Sequence, residues 1–335
     1  MVRGVIEVEG LAKRYDRGGV EALRGVSFHV RPGEVFGFLG RNGAGKSTTV
    51  RILTTLIRPT AGEARVAGFD VVRQPGQVRR ALGAALQEAA LDDLMTGREH
   101  LVLAARLAGA GKAGASGRAT ELLEAFGLAA AGDRVAATYS GGMRRRLDVA
   151  MAMVRRPVVL FLDEPTTGLD PQGRRALWAL IRDLRDQGAA VFLTTQYLAE
   201  ADELSDRVAV VHDGRIAAIG AQDELKARLG ATTLRLRVSP GSTRRLGRAF
   251  AAGDLAVQPD GWAVLRVPGG EASVPATIGR LLAAGIRVDR LEVNPPSLEE
   301  VFVNLTGAEI ESAPSAGGGA MALSAVRRGM GRPAP

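Results

Sequence analysis

The chain has no cysteine, few aromatic residues and almost no lysine. Without cysteine there are no disulfides and no thiolate metal sites. Aromatic residues make up 4% of the 335 positions, too few to interleave a basic surface with stacking platforms for bases. Lysine stands only at positions 13, 46, 112 and 226, so the formal net charge of +8 is almost wholly arginine. That arginine comes with abundant alanine, glycine and valine, as a GC-rich coding sequence gives, and no nucleic-acid partner is expected. The densest basic run, Arg144-Arg145-Arg146, reads as a solvated helix face with a packing role. The basic C-terminal stretch leaves open a weaker role at an anionic membrane surface. Long hydrophobic runs are also missing. The longest, 158–162 and 189–193, have strand length, far below the roughly 18 residues a membrane span needs. Met1-Val2-Arg3-Gly4-Val5 lacks the pattern of a secretory leader, so a cytoplasmic location is expected.

What is present is a phosphate-binding loop. Residues 40–47 read Gly40-Arg41-Asn42-Gly43-Ala44-Gly45-Lys46-Ser47, the full G-x-x-x-x-G-K-[ST] pattern. The glycines let the backbone curl so that its N–H groups face phosphate oxygens. Lys46 brings a positive charge to the terminal phosphates, and the Ser47 hydroxyl can ligate Mg²⁺. The apolar run Val35-Phe36-Gly37-Phe38-Leu39 predicts a buried strand before the loop, and the spacing from Thr48 to Ile57 predicts a helix after it. Phosphates would then sit at a helix N-terminus.

Two further motifs sharpen the reading. Val158 to Leu162 predicts an apolar strand ending in Asp163 and Glu164. Asp163 fits an orienter or outer ligand of Mg²⁺, and Glu164 is placed to polarise a water against the γ-phosphate. Ser140-Gly141-Gly142-Met143 precedes a predicted helix over 144–154 and offers a second anion site.

With these three motifs the chain resembles the nucleotide-binding subunits of ATP-binding-cassette (ABC) transporters. Their signature loop usually reads Leu-Ser-Gly-Gly-Gln; here Tyr139 and Met143 replace the outer positions. The resemblance covers about residues 5–230 and implies roles for further residues. Tyr15 would stack on adenine. Gln87 would contact Mg²⁺ and the attacking water. Asp170, in Gly168-Leu169-Asp170-Pro171, would lie in the loop that crosses the dimer interface. Gln196 stands where the family's switch loop normally carries a histidine for the γ-phosphate, and His29, His100 and His212 lie elsewhere. An amide can hydrogen-bond a phosphate but carries no charge, so slower or differently gated hydrolysis is expected.

The expected fold is α/β: a P-loop NTPase cassette over 5–230, with a helical subdomain inserted over about 88–140. A small α+β module over 231–308 follows. Its strand–helix–strand–strand–helix–strand order suggests a ferredoxin-like split βαβ unit. Asn294-Pro295-Pro296-Ser297-Leu298-Glu299-Glu300 predicts a capped helix, with Ser297 as cap and Glu300 as its capping-box partner. The same stretch resembles the end of drug-export ATPases of the daunorubicin-resistance type. Residues 309–335, rich in Gly, Ala, Pro and Ser, are expected to be disordered.

The resemblance implies ATP and Mg²⁺ as ligands. It implies an ATP-dependent dimer, of this chain with itself or with a paralogue, that sandwiches nucleotide between Lys46 of one subunit and Ser140-Gly141-Gly142 of the other. The partner would be an integral-membrane permease, and the chain would sit peripherally on the cytoplasmic side of the membrane. A drug-like or secondary-metabolite cargo is favoured. Lipid, polysaccharide or ion export is the alternative. A ribosome- or DNA-directed ABC ATPase is disfavoured, because such chains usually carry two cassettes or long coiled coils.

Overall fold

The computed structural model describes residues 4–16, 19–87, 91–229, 232–239, 242–250, 254–258, 262–267, 271–295 and 297–307. The expected disordered tail lies outside these residues. The chain divides into two compact units that meet between Gln222 and Asp223.

The first unit opens on two long strands, β1 (Ile6–Arg14) and β2 (Glu21–Val30). They are followed by β3 (Val35–Leu39), α1 (Lys46–Leu53), β4 (Ala61–Val66), β5 (Phe69–Asp70), α2 (Pro75–Ala81) and β6 (Leu82–Ala85). Three helices come next: α3 (Gly97–Leu107), α4 (Lys112–Ala125) and α5 (Gly141–Ala152). Then come β7 (Val159–Asp163), α6 (Pro171–Asp186), β8 (Ala190–Thr195), α7 (Leu198–Leu204), β9 (Arg207–His212) and β10 (Arg215–Ala221).

These strands make two sheets. One is antiparallel, in the order β2-β1-β4-β5. The other runs β10-β9-β3-β8-β7-β6, parallel from β9 to β6 with β10 an antiparallel edge. In the parallel strands successive residues feed opposite faces. Phe36, Phe38, Phe161 and Phe192 turn to one core, while Val35, Leu160, Leu162, Val191 and Leu193 turn to another shared with α5 and α6. Phe28 of β2 completes the first core. Its ring lies 5.4–5.8 Å from those of Phe36, Phe38 and Phe192, so aromatic packing joins the two sheets.

Helices α3 and α4 fall within residues 88–140, the stretch for which a helical insertion is expected. Thr96 and Glu99 build a reciprocal capping box that starts α3. Helix α4 runs through a Gly/Ala-rich stretch, where Ala115 and Ala119 are fully buried.

The second unit starts with α8 (Gln222–Leu229), of which Gln222 belongs to the first unit. It continues with β11 (Thr232–Val238), α9 (Thr243–Ala249), β12 (Leu255–Val257), β13 (Trp262–Val267), α10 (Val274–Ala283), β14 (Val288–Asn294) and α11 (Leu298–Thr306). The sheet order β12-β13-β11-β14, with all neighbours antiparallel, is that of a split βαβ unit. Leu234, Leu236, Leu246, Leu265 and Leu281 fill its own core. Ser297 caps α11, its hydroxyl accepting from the Glu300 N–H at 3.2 Å.

Candidate nucleotide site

Every parallel strand of the central sheet ends on one side, and there the polar residues gather. In an open α/β sheet, ligands bind at these carboxyl ends. Strand β3 leads directly into the loop 40–45, and α1 begins at Lys46. The loop conformation needs glycine. Gly43 and Gly45 have φ of 83° and 104°. A Cβ on Gly45 would also stand 2.5 Å from the Ala22 carbonyl oxygen. Arg41, Asn42 and Gly43 are exposed at the crest, Ala44 is buried, and Ser47 and Thr48 are half-buried on the first turn of α1.

Lys46 is buried, and its ammonium is held on three sides. It donates to the carbonyls of Gly40 at 2.8 Å and Arg41 at 3.2 Å, and pairs with Glu164 Oε1 at 3.0 Å. Glu164 is buried too, with a φ of 47°. A non-glycine residue in that region is strained, and such strain gathers at functional sites. Strand β8 holds it there: the Glu164 N–H donates to the Thr194 carbonyl at 3.0 Å and to the Thr194 hydroxyl at 3.1 Å. The same hydroxyl donates to Asp163 Oδ1, which also accepts from the Ser47 hydroxyl at 3.3 Å. Lys46, Ser47, Asp163 and Glu164 therefore form one contiguous cluster. A serine hydroxyl facing a carboxylate beside a fixed ammonium is a donor set suited to Mg²⁺ and a polyphosphate. Among the described residues no group of three His, Cys, Asp or Glu gathers for a metal.

The other expected residues are each placed by their own element. Tyr15 lies near α1, its hydroxyl 3.4 Å from that of Thr48, and the Lys13 ammonium sits 5.3 Å from its ring centre. Gln87 is exposed just past β6. Ser140 caps α5, accepting from the Met143 N–H at 3.3 Å, while Gly141 and Gly142 form the first turn. Asp170 caps α6 by accepting from the Gly173 N–H at 3.0 Å. Gln196 is half-buried immediately after β8. His100 is structural: Nε2 accepts from the Asp92 N–H at 2.9 Å, and Nδ1 lies 2.8 Å from the Thr96 carbonyl.

Of the departures from the usual signature, Tyr139 has a built setting. Tyr139 is buried, donates its hydroxyl to the Ala131 carbonyl at 2.7 Å, and fits because residue 97 is glycine. A Cβ on Gly97 would meet that hydroxyl at 2.3 Å.

The arginine run has the expected packing role and keeps Arg144 and Arg146 partly exposed, but its middle member is not solvated. Arg144 pairs with Asp93 at 2.5 Å, Arg146 donates to the Phe126 carbonyl at 3.2 Å, and Arg145 is buried. Periodicity missed this, because a run of three arginines looks identical whether its middle member faces in or out. Beside Arg145, burial pushes the Asp148 carboxyl up to about 6, against the downward pull of the guanidinium. Thr194 also escaped the sequence reading. Its position two residues before Gln196, at the end of an otherwise apolar strand, was the available signal.

Fold and site together define a P-loop nucleotide-binding cassette. Residues 23–167 match the family described as ABC transporter. Residues 220–306 match the ATP-binding protein DrrA1-3-like, C-terminal domain. The daunorubicin/doxorubicin resistance ATP-binding protein DrrA of Streptomyces peucetius is 46% identical over 90% of this chain and 92% of its own. The doxorubicin resistance ATP-binding protein DrrA of Mycobacterium tuberculosis is 45% identical over 92% of this chain and 95% of its own. Among solved structures, an ATP-binding subunit of an ABC transporter aligns with a TM-score of 0.59 and 32% identity, over 66% of this chain and 91% of that one. A bacterial ABC transporter cassette with a dimeric structure aligns with a TM-score of 0.59 and 25% identity, over 64% of this chain and 98% of that one. This chain belongs to the ABC transporter family of ATP-hydrolysing cassettes.

Proposed function

We propose that this chain hydrolyses ATP to drive export of a drug-like or secondary-metabolite compound through a separate integral-membrane permease, from the cytoplasmic face of the membrane. Two things support the reading: the buried Lys46–Glu164 pair beside Ser47 and Asp163, and the drug-resistance names of relatives similar over nine-tenths of the chain. Among the described residues no helix is long and apolar enough to cross a membrane, which fits a separate permease.

The loop N–H groups from Gly40 to Thr48 and the Lys46 ammonium would bind the ATP phosphates, with Tyr15 against adenine. Ser47, Asp163 and Gln87 would hold Mg²⁺, which supplies charge neutralisation for the phosphoryl oxygens when bound. Glu164 polarises the attacking water, and Gln196 donates its amide to the γ-phosphate. The signature residues Ser140, Gly141 and Gly142 act on nucleotide held by a second subunit, either this chain or a paralogue, with Asp170 at the subunit junction. Positioned charge carries most of the catalysis.

Two substitutions test this. Lys46→Ala should abolish ATPase activity in a folded protein. Glu164→Gln should retain ATP and accumulate as a dimer on size exclusion with ATP and Mg²⁺. Near-normal turnover in Lys46→Ala would defeat the site assignment. A Glu164→Gln protein that stays monomeric, even with the permease present, would defeat the sandwich.

A further inference from the structure

The side chain of Arg145 lies inside the protein, 8% exposed, five positions after Ser140. Its guanidinium fills the space between α5 and the carboxyl ends of β6 and β7. Nη1 donates to the Leu86 carbonyl at 2.6 Å and to Asp148 Oδ2 at 2.7 Å. Nη2 donates to the carbonyls of Ala85 at 3.4 Å and Asp163 at 3.1 Å. Nε donates to the Pro165 carbonyl at 3.0 Å. A guanidinium has five N–H donors in a rigid plane, and these five contacts use them all. Burial works against its charge, and the carboxylates of Asp148, Asp163 and Glu200 work for it.

The acceptors are not scattered. Leu86 is the residue before Gln87. Asp163 and Pro165 flank Glu164. One side chain on the helix that follows the signature loop therefore holds the backbone beside two residues of the hydrolytic site. We propose that Arg145 is a positioning residue for hydrolysis, fixing Gln87 and Glu164 relative to the signature helix so that a shift of α5 moves both. The proposal rests on the ATPase reading above. Arg145 has no donor left for nucleotide, so its effect falls on turnover and not on ATP affinity. Lysine cannot replace it, because a single ammonium cannot span carbonyls on two strands. A simple strut would behave differently: losing it would lower stability and leave turnover per folded molecule unchanged.

The test uses the full-length protein with Arg145→Met and Arg145→Lys, each alone and combined with Gln87→Ala. Equilibrium ATP binding, turnover per bound nucleotide and thermal midpoint are measured for each. ATP affinity should stay within about twofold of wild type, while turnover falls roughly tenfold or more in Arg145→Met and less in Arg145→Lys. In the Gln87→Ala background the same substitutions should cost clearly less, because the part that runs through Gln87 is already lost while the part through Glu164 remains. If Arg145→Met does not fold, Arg145→Lys, which keeps a charge against Asp148, carries the comparison. Wild-type turnover per bound nucleotide in folded variants overturns the proposal, whatever their thermal midpoint. So does an undiminished cost in the Gln87→Ala background. An unmodified protein that neither binds nor hydrolyses ATP would instead overturn the ATPase reading, so the two failures are distinguishable.

Discussion

Gln196 follows a strand whose last two residues, Thr194 and Thr195, are fully buried, so its backbone position is fixed while the residue is half-buried. Thr194 ties that strand end to Asp163 and Glu164. Residue 196 therefore follows directly on the strand that anchors Glu164, and we propose that it reaches the γ-phosphate. If its amide donates there, Gln196→His should raise turnover by up to about tenfold, and Gln196→Ala should lower it with ATP affinity nearly unchanged. Steady-state ATPase rates decide this; two variants indistinguishable from wild type would remove Gln196 from the chemistry.

At the scale of elements, the loop 40–47, β3, β8, β11 and β13 were legible because each is a short apolar run or a fixed pattern bounded by clear turn residues. The Lys46, Asp163 and Glu164 constellation was legible for the same reason: each motif sits at a strand end. The antiparallel sheet of β1, β2, β4 and β5 was not. Its strands are half-exposed and bulged, and pairing between β1 and β4 joins residues about fifty to sixty positions apart, which no local pattern encodes. The Thr96–Glu99 capping box was missed although both residues were in plain view, and the inward turn of Arg145 depends on carbonyls contributed by β6 and β7. The phenylalanine cluster was also hidden, because the rings come from four strands of two sheets. Phe192 touches four of them, with ring centres 5.5–6.0 Å apart. Phe192→Ala should destabilise the first unit by about 3–5 kcal/mol, as large cavities in aromatic cores do. Denaturant unfolding followed by a probe in that unit measures it, and a loss below about 1 kcal/mol would mean the two sheets do not depend on this packing.

At the scale of the whole molecule, all residues of the nucleotide cluster belong to the first unit, and the second has a core of its own. A chain ending near residue 230 should therefore bind ATP within about twofold of the full protein, an expectation for sites with no shared partners. The same cut should impair drug resistance in a host that carries the permease, if the second unit serves assembly. Calorimetric ATP titration and a resistance assay separate the two, and full resistance without the second unit would show it dispensable. The pairing of Lys46 with Glu164 bears on this scale too. On the roles proposed above, the cation for binding and the base for hydrolysis are each other's partner, which would interlock the two steps. A phosphate would then have to take over the ammonium before the carboxylate could work on water. On those proposed roles, loading the fuel would itself unlatch the group that burns it.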